Sequence, residues 1–211
     1  KGVGGNLRRM SWKRFASGLY EPMSVEVHDG NIYVFGKEGI VRLHDLNGDG
    51  EADYYENFCD LMQEPPESYA WAADMVFSEK DSSFIIALGG AVNARPGVTK
   101  PIMTGFRAGS NHSGTIMRIS LDGRHTEMVA TGFRMPFLGI NPLTGGITAT
   151  DQQGNYVSST PIYVVEQGDF MGVPATAHRD DTPIAKKPLT WIPHRIDRSA
   201  GSQIWMVSGK M

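Results

Sequence analysis

An all-β fold of short antiparallel hairpins is predicted by three observations: a turn-forming composition, a series of alternating runs joined by tight turns, and an internal repeat. The chain holds 25 glycines and 12 prolines in 211 residues, well above the average glycine usage of about 7%. Ser24–His28 and Asn31–Phe35 alternate with period two and flank Asp29-Gly30. Asp-Gly suits a type I′ hairpin turn, which needs positive φ at both central positions. The repeat pairs Ala16-Ser17-Gly18-Leu19-Tyr20-Glu21-Pro22 with Ala130-Thr131-Gly132-Phe133-Arg134-Met135-Pro136, 114 positions later. Each copy reads Ala, hydroxyl, Gly, apolar, two variable residues, Pro, and each precedes a strand signal. That spacing fits two units of about 40–50 residues plus an insertion. Radial repetition of such units predicts a β-propeller of four-stranded antiparallel blades. A β-sandwich is the alternative class, which the repeat disfavours.

The elements follow in order. Ser24–His28, Asn31–Phe35 and Ile40–His44, the last two joined by a turn over Gly36–Gly39, form a first meander. Asp53–Met62 is compatible with a short helix or with one extra strand. A second set comprises Asp74–Phe77, Ser83–Leu88 and Gly114–Ser120, closed by the turn Leu121-Asp122-Gly123. A third comprises Phe137–Asn141, Gly146–Thr150 and Pro161–Glu166, and Gln203–Val207 reads as a final strand. Between the second and third strands of the middle set, residues 89–111 are rich in Gly, Ala, Asn, Arg and Pro and lack periodicity. A loop of that length in a compact domain is usually functional or mobile. At this unit size the chain holds about four blades. A single domain, or part of one, is therefore expected over 1–211, as an incomplete fragment of a six-bladed propeller.

Charge and composition exclude several classes. The formal net charge is -3 and the pI about 6.1, so the basic footprint of a nucleic-acid binder is missing. No apolar run reaches the roughly 18 residues of a membrane span. The single cysteine, Cys59, rules out an internal disulfide. The chain starts at Lys1 without an apolar leader, which suggests a removed signal peptide or a cut from a longer chain, and a periplasmic or secreted setting.

Asp45-Leu46-Asn47-Gly48-Asp49-Gly50-Glu51-Ala52-Asp53-Tyr54-Tyr55-Glu56 carries a calcium-loop spacing. Oxygen side chains stand at positions one, three, five and nine, Gly at six and Glu at twelve, with the Glu51 carbonyl at seven. Calcium takes six to eight oxygens, and alternate residues of a tight loop point inward. The candidate ligands are thus Asp45, Asn47, Asp49, Glu51, Asp53 and Glu56. The alternative is an acidic surface turn, since Asn, Asp and Gly are also turn formers.

Gly114–Gly123 followed by Ala130–Pro136, with Gly145–Asp151 and Val164–Pro174, resembles the soluble quinoprotein glucose/sorbosone dehydrogenases. The likeness runs roughly from Phe15 to Met206. Gly18–Asp53 is more similar to a membrane-bound dehydrogenase branch found in large secreted bacterial proteins, often with a c-type haem domain. The resemblance implies a propeller with pyrroloquinoline quinone (PQQ) on its axis, sugar oxidation outside the cytoplasm and electron transfer to a partner. Arg134 matches the family's cofactor-binding Arg. Phe133 and Met135 stand where the family has His and Asn, and Tyr69–Asp74, where its catalytic His is expected, has none.

The remaining candidates come from polarity and neighbours. His112, in Ser110-Asn111-His112-Ser113-Gly114, could serve as the catalytic base, or be a solvated loop residue. Arg134 could bind an anionic group, or pair with an acid and hold its turn. Asp151, before Gln152-Gln153-Gly154-Asn155, is the second catalytic candidate, placed to meet sugar hydroxyls, or it could form an Asx turn. Trp71, Trp191 and Trp205 could stack on sugar rings or fill interblade core. His178 and His194 stand too far apart in sequence, with no tight ligand spacing, for a metal reading.

Overall fold

The structure is a computed structural model that describes residues 10–63, 71–90, 110–152, 159–181 and 183–206. Among the described residues thirteen strands form three sheets. The first contains β1 (Ser24–His28), β2 (Asn31–Gly36), β3 (Gly39–His44) and β4 (Tyr54–Cys59), in the order β1-β2-β3-β4. The second contains β5 (Ala72–Ser78), β6 (Ser83–Leu88), β7 (Thr115–Ser120) and β8 (Thr126–Thr131), with β12 (Asp169–Phe170) added in parallel to β8. The third contains β9 (Phe137–Ile140), β10 (Ile147–Thr150), β11 (Thr160–Val165) and β13 (Thr190–Ile192). Each sheet is a meander whose first strand lies beside that of the next, β1 against β5 and β5 against β9. These three first strands run in the same sense, the arrangement of inner strands round a propeller axis.

Local chemistry accounts for the pieces. Asp29 and Gly30 have φ of 47° and 73°, the two positive angles that a type I′ turn demands. Gly18 and Gly132, matched in the repeat, share φ of 84° and 83°, and each leads into the inner strand of its sheet. The repeat offset therefore spans two sheets.

β6 reads as an unbroken apolar run because both its faces are covered, and Phe84, Ile85, Ile86, Ala87 and Leu88 are all fully buried. Phe84, Ile86 and Leu88 face the first sheet and pack with Tyr33, Phe35 and Ile40. Ile85 and Ala87 face the third, with Leu138, Ala149 and Tyr163. The middle sheet is thus the core of the structure.

Two expectations change, and an open one is resolved. The described residues form three sheets, not about four, because the connections inside the second and third sheets are longer than a compact blade needs. The ambiguous segment at 53–62 is the strand β4. Residues 203–206 are not a strand: the Gln203 amide makes a single long bond of 3.4 Å to the Leu138 carbonyl, with no further strand beside it among the described residues to complete a ladder. The insertion read at 89–111 lies, but for its two ends, outside the described residues.

Candidate functional site

Strand direction sorts the candidates onto two ends. The starts of β1, β5 and β9 lie with the ends of β6, β8 and β10. This end carries Arg134, Asp151, His112 and both ends of the long insertion. The acidic loop joins β3 to β4 at the opposite end.

At the first end a turn over 132–136 delivers Arg134. Asp151 follows β10 and is fully buried. Its carboxylate accepts from the backbone N–H of Arg134 at 2.9 Å, Met135 at 2.6 Å and Gln152 at 2.8 Å. Burial pushes the Asp151 pKa up to about 6, although those three amides and the Arg134 charge pull it down. With no exposed atom, Asp151 does not meet a substrate; it holds the Arg134 turn. The half-buried Arg134 guanidinium donates to Gln152 Oε1, and Gln152 Nε2 donates to Ser199 Oγ. Burial lowers the Arg134 pKa, so an anion beside it is favoured.

Two imidazoles lie on the flank of this turn. His112 Nδ1 accepts from the Gln63 amide at 2.9 Å. Burial, then the His178 charge, lower the His112 pKa. Neutral His112 accepting at Nδ1 carries its proton on Nε2, so its other nitrogen is a donor. His178 has the reverse arrangement. Its Nε2 lies 2.6 Å from the Ser113 carbonyl oxygen, which can only accept, so Nε2 carries a proton and, in the neutral ring, Nδ1 carries the lone pair. His178 also sits in the left-handed region, φ 56°, which costs a non-glycine residue free energy. Thr176 Oγ1 donates to the Phe133 carbonyl at 2.9 Å, and the Gly132 amide donates to the Thr176 carbonyl at 2.9 Å. The 3-10 turn Pro174–Thr176 thereby straps the Arg134 turn.

At the other end the acidic loop is wound round Asp45. Asp45 Oδ1 accepts from the Gly48 and Asp49 amides and Oδ2 from Gly50. Asp53 caps the Leu46 and Asn47 amides. The two glutamate side chains point elsewhere, Glu51 being a candidate through its carbonyl rather than its carboxylate. Glu51 meets Arg14 at 3.3 Å; Glu56 lies on β4 and meets His44 at 2.7 Å and Arg42 at 3.8 Å. Lys13 reaches the loop, donating to the Asp49 carbonyl and lying 3.6 Å from Asp49 Oδ1. Among the described residues no group of three or more His, Cys, Asp or Glu side chains is placed to hold a metal.

Sequence reasoning missed Asp74 and the place of His178 beside the Arg134 turn. Asp74, on β5, accepts from Ser24 Oγ on β1 at 3.1 Å and from the Leu138 amide on β9 at 2.9 Å. It ties the three inner strands. A lone Asp inside the apolar run Ala72-Ala73-Asp74-Met75-Val76 was its signal. Gln153, Gly154 and Asn155 lie outside the described residues. Among the described residues no helix is long and apolar enough to cross a membrane.

No protein-family model matches the chain, and no curated protein does. Solved structures do. An oxidoreductase described as a glucose dehydrogenase, from Thermus thermophilus, aligns over 85% of this chain and 72% of its own, at 17% identity and a TM-score of 0.50. The soluble aldose sugar dehydrogenase of Escherichia coli, in its apo form, aligns over 79% of this chain at 14% identity and a TM-score of 0.50. The chain spans 52% of that second protein. At these identities the likeness is one of fold: the three sheets are arranged as in the β-propellers of these sugar dehydrogenase structures.

Proposed function

We propose that this chain is part of an extracytoplasmic, quinoprotein-dehydrogenase-like propeller that acts on a sugar, with a structural calcium loop. The observation that carries this reading is the half-buried Arg134, braced by Gln152 and by the Asp151-held turn, at one end of the inner strands. The residues fit an acidic cofactor such as PQQ at Arg134, because a desolvated guanidinium favours a carboxylate beside it. When bound, that cofactor supplies a two-electron acceptor. The chain's own part is to orient it through Arg134, to donate to a sugar oxygen from His112 Nε2–H, and to accept a proton at His178 Nδ1. A partner, such as a c-type haem domain, would take the electrons. Reconstituted with PQQ and calcium, the chain is expected to reduce a dye with an aldose. Arg134→Ala should cut that rate by at least ~100-fold, about 2.7 kcal/mol of transition-state stabilisation. An unchanged rate would remove Arg134 from the site.

A second reading, a non-catalytic propeller binding carbohydrate or a partner domain, is favoured by one observation. Asp151 and His112 Nδ1, the acceptors named as catalytic from the sequence, are both spent on backbone amides. Glycan binding without turnover in the same assay would select it.

Calcium would be held by the Asp45, Asn47, Asp49 and Asp53 side chains and the Glu51 carbonyl, with Glu56 left to its strand partners. The loop's place at the far end from Arg134 favours a structural role over a catalytic one. Calcium at 100 times its dissociation constant should add about 2.7 kcal/mol, which raises the melting temperature by roughly 5–10 °C in a chain of this size. Asp49→Ala should abolish the rise. Lys13→Met should tighten calcium binding, because it removes a competing ammonium from the loop. A melting temperature indifferent to calcium and chelator in all three proteins would leave the loop an acidic turn.

A further inference from the structure

A cavity of about 820 Å³ opens along the inner strands on the side away from Arg134. All three sheets contribute. Glu26 comes from β1, Phe77 from β5 and Gly139 from β9, and residues 203–205 form the remaining wall. We propose that this groove binds a neutral mono- or disaccharide, at a site separate from the Arg134 end.

The wall is built rather than incidental. A side chain at Gly139 would put its Cβ 2.9 Å from both Gln203 Cβ and Thr148 Oγ1, so glycine lets residues 203–205 lie against β9. Trp205 Nε1 donates to Thr148 Oγ1 at 3.1 Å and Gln203 Nε2 to the Phe137 carbonyl at 2.9 Å. Those bonds fix the indole and the amide while 41% of Trp205 remains exposed. Opposite, Asn141 Oδ1 is taken by the Leu143 amide at 2.9 Å, which leaves its Nδ2 as a donor. Gln203 keeps its Oε1 as an acceptor.

This set suits a sugar. A ring presents C–H groups that pack on an indole or an aliphatic wall such as Leu143, and hydroxyls that need paired donors and acceptors at the rim. Two carboxylates, Glu26 and Glu79, stand against one ammonium, Lys80, a balance that repels phosphates and other anions. Burial, then the Asp74 charge, raise the Glu26 pKa, so the carboxyl can donate as well as accept as pH falls. A volume within the range of about 300–1,000 Å³ admits one or two rings. None of these residues belongs to the Arg134 end, and sugar binding in the groove does not depend on the proposed redox activity.

Calorimetric titration and saturation-transfer NMR of the full chain with D-glucose and with cellobiose test it. Saturable binding is expected for at least one sugar, weakened at least ~10-fold in Trp205→Ala and in Glu26→Gln, as for an anchor residue, and unchanged in Arg134→Ala. Leu143→Ser, at a side chain 76% exposed, covers the case in which Trp205→Ala does not fold, and should weaken binding too. The proposal is overturned if neither sugar binds, if Glu26→Gln and Leu143→Ser bind like the parent, or if Arg134→Ala alone abolishes binding. Failure of dye reduction with PQQ would sink the redox reading and leave this one standing.

Discussion

Asp74→Ala is expected to destabilise the chain by about 3 kcal/mol, the cost of stranding the buried Leu138 amide, at about 1–3 kcal/mol for such a donor, together with the lost bonds to Ser24 and Met75. Asp74 is 7% exposed. Its oxygens serve the Met75 amide at 2.9 Å, the Leu138 amide at 2.9 Å and Ser24 Oγ at 3.1 Å. The Leu138 amide is the critical donor. β9 is an edge strand, paired on one side only with β10, so its outward N–H groups need partners from outside the sheet. Asp74 supplies one from the neighbouring sheet. Alanine leaves that amide buried and unpaired and removes one of the bonds between β1 and β5, where Ser24 Oγ still meets the Met75 amide at 3.1 Å and the Met75 carbonyl at 3.3 Å. Asn keeps one acceptor and should lose roughly half as much. Urea unfolding followed by circular dichroism measures both. A loss below about 1 kcal/mol for alanine, the size of one ordinary hydrogen bond, would mean that apolar packing alone aligns the inner strands.

That tie explains how far the sequence could be read. The hairpin at Asp29-Gly30 and the repeated Gly18 and Gly132 turns were legible because their chemistry is local: Gly, and next to it Asp or Asn, takes a positive φ at least cost. β6 was legible as a strand, but its burial on both faces depends on sheets from elsewhere in the chain. β8 went unread because Thr126–Thr131 does not alternate cleanly; its register shifts beside Met117. The site divides in the same way. The Arg134 turn was visible through its repeat. That Asp151 is spent on amides 16 and 17 residues away, and that His178 hangs on Ser113 across 65 residues, are long-range facts that no spacing rule contains. The Glu56 ligand position failed for a comparable reason. The calcium spacing assumes a helix after the loop, whereas a strand follows here and turns that carboxylate toward His44.

Asp151 should also imprint itself on the pH dependence of stability. Its ordinary pKa of 3.8 is raised to about 6 in the folded chain, chiefly by burial. Between those two values the folded state holds more protons than the unfolded one, so stability falls as pH rises through that window. The stabilisation is fully present below about pH 4 and lost above about pH 6, an effect of about 3 kcal/mol. The direction is opposite to that of an ordinary salt-bridged carboxylate, whose contribution is lost in acid. Asp74 and Glu26 are shifted in the same sense, so the parent's slope alone does not isolate Asp151. The difference between the parent and Asp151→Asn does. Asn should flatten the slope between pH 4 and 6 by roughly that amount. It should also loosen the Arg134 turn, because its amide nitrogen cannot accept from the Arg134, Met135 or Gln152 N–H. Denaturant unfolding of the two proteins at half-unit pH steps reads this directly. Parallel curves would mean that Asp151 titrates alike in the folded and unfolded chains, the three amides and the Arg134 charge together offsetting its burial.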